Sequence, residues 1–217
     1  MDKIKCIIFD CDGVLVDSEA IGIQVLLSMV EQLGLKLNLE ESIHTFRGMA
    51  LKDCFLTLET LLNKPLPADF EKEYRRLSFN AFRNELQPVE GIAEFISLLK
   101  IPFCVASSGP VEKIKLNLSL VGLLDKFENH IFSSYQINSW KPEPDIYLHT
   151  AKEMGFAVDE CIVIEDSKPG VIAAKTGGFT VFGFSNKHTA PELESAGADI
   201  FFSFKTLYAK LIAAGLF

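Results

Sequence analysis

Short apolar runs rich in β-branched residues recur along the chain with no polar alternation. They are Lys5-Cys6-Ile7-Ile8-Phe9, Phe103-Cys104-Val105-Ala106, His130-Ile131-Phe132, Cys161-Ile162-Val163-Ile164, Thr180-Val181-Phe182-Gly183-Phe184 and Ile200-Phe201-Phe202. Continuous apolar strands of this kind predict a sheet buried on both faces. Helical periodicity lies between them. Val111 to Val121 carries Ile114, Leu118 and Val121 on one stripe. Asp145 to Met154 starts behind Pro144 and stops at Gly155, and Ser167 or Lys168 to Thr176 stops at Gly177-Gly178. Proline at a helix start and glycine past its end are the expected punctuation. Strand–helix alternation predicts an α/β fold with a doubly wound parallel sheet. Ligands of such sheets bind beyond the carboxyl ends of the strands.

One interval breaks the rhythm. From Asp10 to Pro102 no comparable strand occurs, although a crossover needs only about a dozen residues. Glu19 to Leu33, Leu51 to Leu62 and Phe70 to Asn84 read as helices, the first with Leu26, Met29, Val30 and Leu33 on one face. The interval is therefore expected to be an inserted helical cap over residues 17–87, with residues 1–16 and 88–217 forming a Rossmann-like core. Hinges are expected near Val16-Asp17-Ser18 and Leu86-Gln87-Pro88-Val89.

The 217 residues suffice for a core and a smaller second unit. No apolar run approaches the roughly 18 residues of a membrane span. Met1-Asp2-Lys3-Ile4-Lys5 runs straight into the first strand and leaves no room for a signal peptide, so a cytoplasmic location and a membrane-free protein are expected. The odd number of cysteines (Cys6, Cys11, Cys54, Cys104, Cys161) and the absence of a CxxC pair predict reduced core thiols. A net charge of −8 gives no basic footprint for nucleic acid. The same charge repels anionic substrates, so any phosphate chemistry requires local cations.

Such chemistry is suggested at the strand ends. The first strand runs into Asp10-Cys11-Asp12-Gly13, placing two carboxylates on one side of an extended backbone. The fourth ends in Glu165-Asp166-Ser167. Asp166 or Ser167 could simply cap the next helix. Taken with the first pair, however, they form half of a metal site. Converging carboxylates repel unless a hard, oxygen-seeking cation such as Mg2+ joins them. The second strand ends in Ser107-Ser108-Gly109-Pro110, where hydroxyls and free amides at a helix start can bind phosphate. Lys141 stands in the rigid frame Trp140-Lys141-Pro142-Glu143-Pro144, which suggests a held cation rather than a solvated one.

These four motifs, in this order, resemble the haloacid dehalogenase superfamily. The helical insertion is similar to the cap of its beta-phosphoglucomutase and phosphoglycolate phosphatase group. Phe46-Arg47-Gly48 and the stretch from Phe132 to Pro142 look similar to sugar-phosphate phosphatases, the bacterial 6-phosphogluconate phosphatases among them. The resemblance implies an Mg2+-dependent phosphatase acting on a small phosphorylated metabolite, with a monomer as the default state. It implies Asp10 as nucleophile, Asp12 as general acid and base, and Ser107, Ser108 and Lys141 on the phosphoryl oxygens. The metal would be held by Asp10, the Asp12 carbonyl and Asp166, with Glu165 as ligand or support. Arg47, Gly48 and Glu19 would meet the substrate. Three alternatives differ from this pattern in particular residues. A phosphosugar mutase of this group carries a histidine where Gly22 stands and an arginine at or near Leu51. A dehalogenase uses no metal and lacks the second aspartate. A non-catalytic binding module would have lost part of the motif set, and nothing is missing here.

Overall fold

The computed structural model describes residues 3–213. Residues 1–2 and 214–217, the expected two ends of the core, lie outside the described residues.

Six strands form one parallel sheet: β1 (Cys6–Phe9), β2 (Phe103–Ser107), β3 (Ile131–Ser133), β4 (Cys161–Glu165), β5 (Thr180–Phe184) and β6 (Asp199–Phe201). Their order is β3-β2-β1-β4-β5-β6. The strand order therefore reverses between β1 and β4, where such sheets open their binding crevice. β1 and β4 are buried at every residue, as the unbroken apolar runs require. Two hydrophobic clusters cover the two faces. Phe9, Phe95, Phe127 and Phe204 belong to one, while Ile8, Tyr147, Val163 and Phe179 belong to the other. All five cysteines are buried and free.

Twelve α-helices occur among the described residues. Between β1 and β2 lie α1 (Glu19–Gln32), α2 (Leu39–Phe46), α3 (Leu51–Leu62), α4 (Phe70–Glu85) and α5 (Ile92–Leu98). After β2 come α6 (Val111–Leu120), α7 (Leu124–Phe127), α8 (Ser134–Ile137), α9 (Asp145–Glu153), α10 (Lys168–Thr176), α11 (Ala190–Ser195) and α12 (Phe204–Ala213). Helices α1 to α4 enclose an apolar cluster of their own, with Leu26, Val30, Phe46, Leu58 and Phe70 at its centre. The chain enters and leaves this bundle side by side: the Asp17 amide donates to the Gln87 carbonyl at 3.0 Å and the Val89 amide to the Leu15 carbonyl at 3.2 Å. No helix among the described residues is long and apolar enough to cross a membrane.

Candidate active site

The parallel register of β1 and β4 builds the site. Phe9 pairs with Ile164, and the Asp10 amide donates to the Ile164 carbonyl at 2.9 Å. Asp10 thus sits beside Glu165 and Asp166 at the carboxyl edge of the sheet. Carboxylate oxygens of these three buried residues all lie within 4.8 Å of one another. Gly13 makes this closeness possible. It holds φ +79°, and a Cβ there would run into the Asp166 carboxylate.

Lys141 is the cation between the strands. Its Nζ donates to Asp10 Oδ1 at 2.5 Å and to Glu165 Oε1 at 2.5 Å. Burial alone would lower its pKa. Asp10 and Glu165 outweigh burial and hold the ammonium well above the usual lysine range. Glu165 is saturated: Oε1 also accepts from Tyr147 Oη at 2.7 Å, and Oε2 accepts from the Asp166 and Ser167 amides, both at 2.9 Å, and from Ser167 Oγ at 3.0 Å. Burial opposes its charge, but Lys141 and these donors bring its pKa below the ordinary value. Five donors on two oxygens make Glu165 a support that orients Lys141 and the β4 turn. It has little capacity left as a direct ligand.

Asp10 and Asp166 behave differently. Asp10 is pushed up to about 7 by burial, which Lys141 offsets only in part. Asp166 is raised well above the carboxylate range by burial and then by Glu19, Glu165 and Asp10. The charges explain this. Asp10, Asp12, Glu19, Glu165 and Asp166 stand against Lys113, Lys141 and Arg47, leaving two negative charges unmatched. Clustered all-oxygen donors and that deficit fit one hard divalent cation. An ion held here would displace the protons that burial favours on Asp10 and Asp166, so affinity is expected to rise with pH through about 7. Calorimetric Mg2+ titrations below and above that pH check this; equal affinities would contradict it.

Asp12 points elsewhere. Lys113 Nζ donates to both of its carboxylate oxygens at 2.7 Å, and Ser18 Oγ donates to Oδ1. Burial would raise its pKa, yet Lys113 overrides burial and holds it below the usual value. With its side chain so engaged, Asp12 can offer a cation only its backbone carbonyl. Sequence reasoning missed Lys113, which reads as a solvated lysine in the first turn of α6. At the end of β2, Ser107 is buried and its Oγ accepts from the Gly109 amide at 3.1 Å. Ser133 Oγ fastens the same turn by donating to the Gly109 carbonyl at 2.6 Å. The first turn of α6 lacks a side-chain cap, so its amides remain available to an anion.

These groups open into one cavity of about 170 Å³ between sheet edge and helical bundle. One water occupies roughly 10–15 Å³ by the same measure, so a small metabolite fits rather than a lone ion. Asp10, Asp12, Ser107, Ser108, Lys141 and Asp166 line it from the core. Glu19 and Gly48 line it from the bundle, together with Gly22 and Leu51. Arg47 does not. It lines an adjoining cleft, where Nε lies 2.6 Å from Glu19 Oε2 and 4.0 Å from Asp166 Oδ2. Its charge faces the acidic cluster, and among the described residues Arg75 of α4 is the cation that the bundle contributes to the cavity wall. Glu19, buried beside Arg47, is pushed up to about 7 by burial.

The site thus combines a parallel α/β sheet, a buried carboxylate with one oxygen tied to lysine, and a turn with free amides beside it. The family model for hydrolases, haloacid dehalogenase-like hydrolase, matches residues 4–178. A 6-phosphogluconate phosphatase of Escherichia coli (strain K12) is 34% identical over 88% of this chain and 87% of its own length. A phosphorylated carbohydrates phosphatase of Thermotoga maritima is 28% identical over 81% of this chain and 82% of its own. Among solved structures, a HAD family hydrolase from Deinococcus radiodurans R1, with bound phosphate and sodium, aligns with a TM-score of 0.81 at 30% identity, covering 99% of this chain and 97% of that one. The chain belongs to the haloacid dehalogenase-like hydrolases, and it is a phosphoric monoester hydrolase.

Proposed function

We propose that this enzyme is an Mg2+-dependent phosphatase of sugar phosphates or sugar-acid phosphates, working through an aspartyl phosphate on Asp10. The observation that carries this reading is the state of Asp10. Lys141 holds Oδ1 at 2.5 Å, leaving the second oxygen without a hydrogen-bond partner among the described residues, in the wall of a cavity lined by Ser107 and Ser108. Mg2+, held by Asp10, Asp166 and the Asp12 carbonyl, would supply positive charge against the phosphoryl oxygens.

Asp10 attacks phosphorus with its unengaged oxygen. Lys141 favours the ionised form of that carboxylate against burial, and it screens the carboxylate from the approaching anion. Ser107 and the α6 amides hold phosphoryl oxygens, a contribution of positioning and charge stabilisation. Asp12 rests as a carboxylate on Lys113, the state required to deprotonate the water that cleaves the acyl phosphate. An arriving phosphate competes for Lys113 and raises the Asp12 pKa by like-charge repulsion, which readies it to protonate the leaving alkoxide. Residues 17–87 act as a cap that shuts out bulk water during turnover.

Hydrolysis is favoured over mutase action because Gly22 and Leu51, both in the cavity wall, present neither base nor cation. A phosphate-release screen over phosphorylated sugars and sugar acids with Mg2+ is the test. The expected result is free phosphate with no isomer formed; interconversion of sugar 1- and 6-phosphates would replace this reading with the mutase.

A further inference from the structure

At the sheet edge every cation in the cavity wall is already matched to a carboxylate. Lys141 serves Asp10 and Glu165, and Lys113 serves Asp12. Arg75 touches none of them, although it lines the same cavity. Its Nη2 donates to Tyr135 Oη at 2.8 Å, and its guanidinium carbon lies 5.5 Å from the Tyr135 ring centroid. Tyr135 lines the cavity from the core side. The acidic partner of Arg75 is Glu71, one turn back on α4 and half-exposed. Nε and Nη2 both donate to the single oxygen Oε1 of Glu71, at 2.9 and 2.6 Å, and Nη1 donates to no group among the described residues. A pair whose acid is half-exposed contributes little and yields to a better anion. Leu26, Phe46, Leu51 and Phe79 make much of the cap wall apolar, and Glu19, its acidic residue, is paired with Arg47 rather than with Arg75. Planar guanidinium groups bind carboxylates through two parallel hydrogen bonds.

We propose that Arg75 receives a carboxylate at the end of the substrate away from the phosphate, which makes phosphorylated sugar acids the preferred substrates over neutral sugar phosphates. The proposal rests on the phosphatase reading above and refines it. Glu71 holds the guanidinium in place until the substrate arrives, and Tyr135 fixes its tilt from the core. Arg75 selects substrate without touching the reacting phosphorus.

D-gluconate 6-phosphate and D-glucitol 6-phosphate test this directly, because they are open chains that differ only in carrying a carboxylate or a hydroxymethyl group at C1. The wild type is expected to favour the acid in kcat/KM by about tenfold to a hundredfold, mostly through KM, the usual size of a charged hydrogen bond. Arg75→Met should erase that preference while leaving glucitol 6-phosphate and para-nitrophenyl phosphate turnover in place. Arg75→Lys should restore part of it, and Tyr135→Phe should keep it, since the charge remains. Equal losses for both sugars on Arg75→Met would assign Arg75 to cap closure and overturn the proposal, as would a wild type without preference. Para-nitrophenyl phosphate separates the two levels. If the wild type turns it over without any acid preference, the Arg75 assignment alone fails. If it turns over no phosphate ester, the phosphatase reading fails and takes the assignment with it.

Discussion

Asp10→Asn is expected to lower kcat by at least about 10⁴-fold, since an amide cannot form the acyl phosphate. The fold should survive. Asparagine has the same shape, and the backbone bond from residue 10 to Ile164 is independent of the side chain. Lys141 also retains Glu165 as its buried partner at 2.5 Å. The substitution removes a carboxylate whose charge is opposed by burial, so metal-free stability should hold or rise, as is common when a strained catalytic group is neutralised. Single-turnover kinetics on para-nitrophenyl phosphate and a denaturant melt together check this. A rate within about tenfold of wild type would remove Asp10 from the chemistry.

Lys141→Met should be the most damaging single change to stability. It leaves Asp10 and Glu165 buried with their shared cation gone. Breaking a buried ion pair from one side costs about 3–5 kcal/mol, because the remaining charge is uncompensated. For a chain of this size that corresponds to a fall in Tm of roughly 6–20 °C. Mg2+ should recover part of the loss, because it neutralises the same carboxylates, whereas a chelator should expose all of it. Turnover should be lost in either condition. A Tm equal to wild type in chelator would contradict the view that Lys141 holds the acidic cluster together.

The parts of this molecule that were legible in the sequence are those set by local pattern. Apolar runs mark all six strands, most sharply β1 and β4, because a strand buried on both faces has no polar residue to blur it. The residues at the carboxyl ends of β1, β2 and β4 (Asp10, Ser107 and Asp166) were legible because a parallel sheet sends each strand end to one edge. Helices α2, α5, α7, α8 and α11 have eight residues or fewer, too few for a stripe to repeat, and α12, with ten, is not read either. Lys113 was missed for another reason. Its partner Asp12 lies 101 positions away, and only the packing of α6 beside the β1 turn joins them. The Arg47–Glu19 pair is equally illegible: the turn that gives Gly48 φ +68° brings it against Ser167 and sets the arginine beside Glu19. Side-chain direction in a cap depends on helix orientation, which periodicity does not encode. Glu165 was read beside Asp166 as a ligand or support; the donors that fix it as a support include Tyr147, from a helix with no motif of its own.

The account stands on covalent capture of phosphorus by one carboxylate, and borohydride reduction tests that most directly. An acyl phosphate trapped by acid quench during turnover and reduced with borohydride converts its aspartate to homoserine, which peptide mass spectrometry locates. The expected result is homoserine at position 10, dependent on both substrate and Mg2+. Intact Asp10 during active turnover, or the modification at Asp12 or Asp166, would contradict the account.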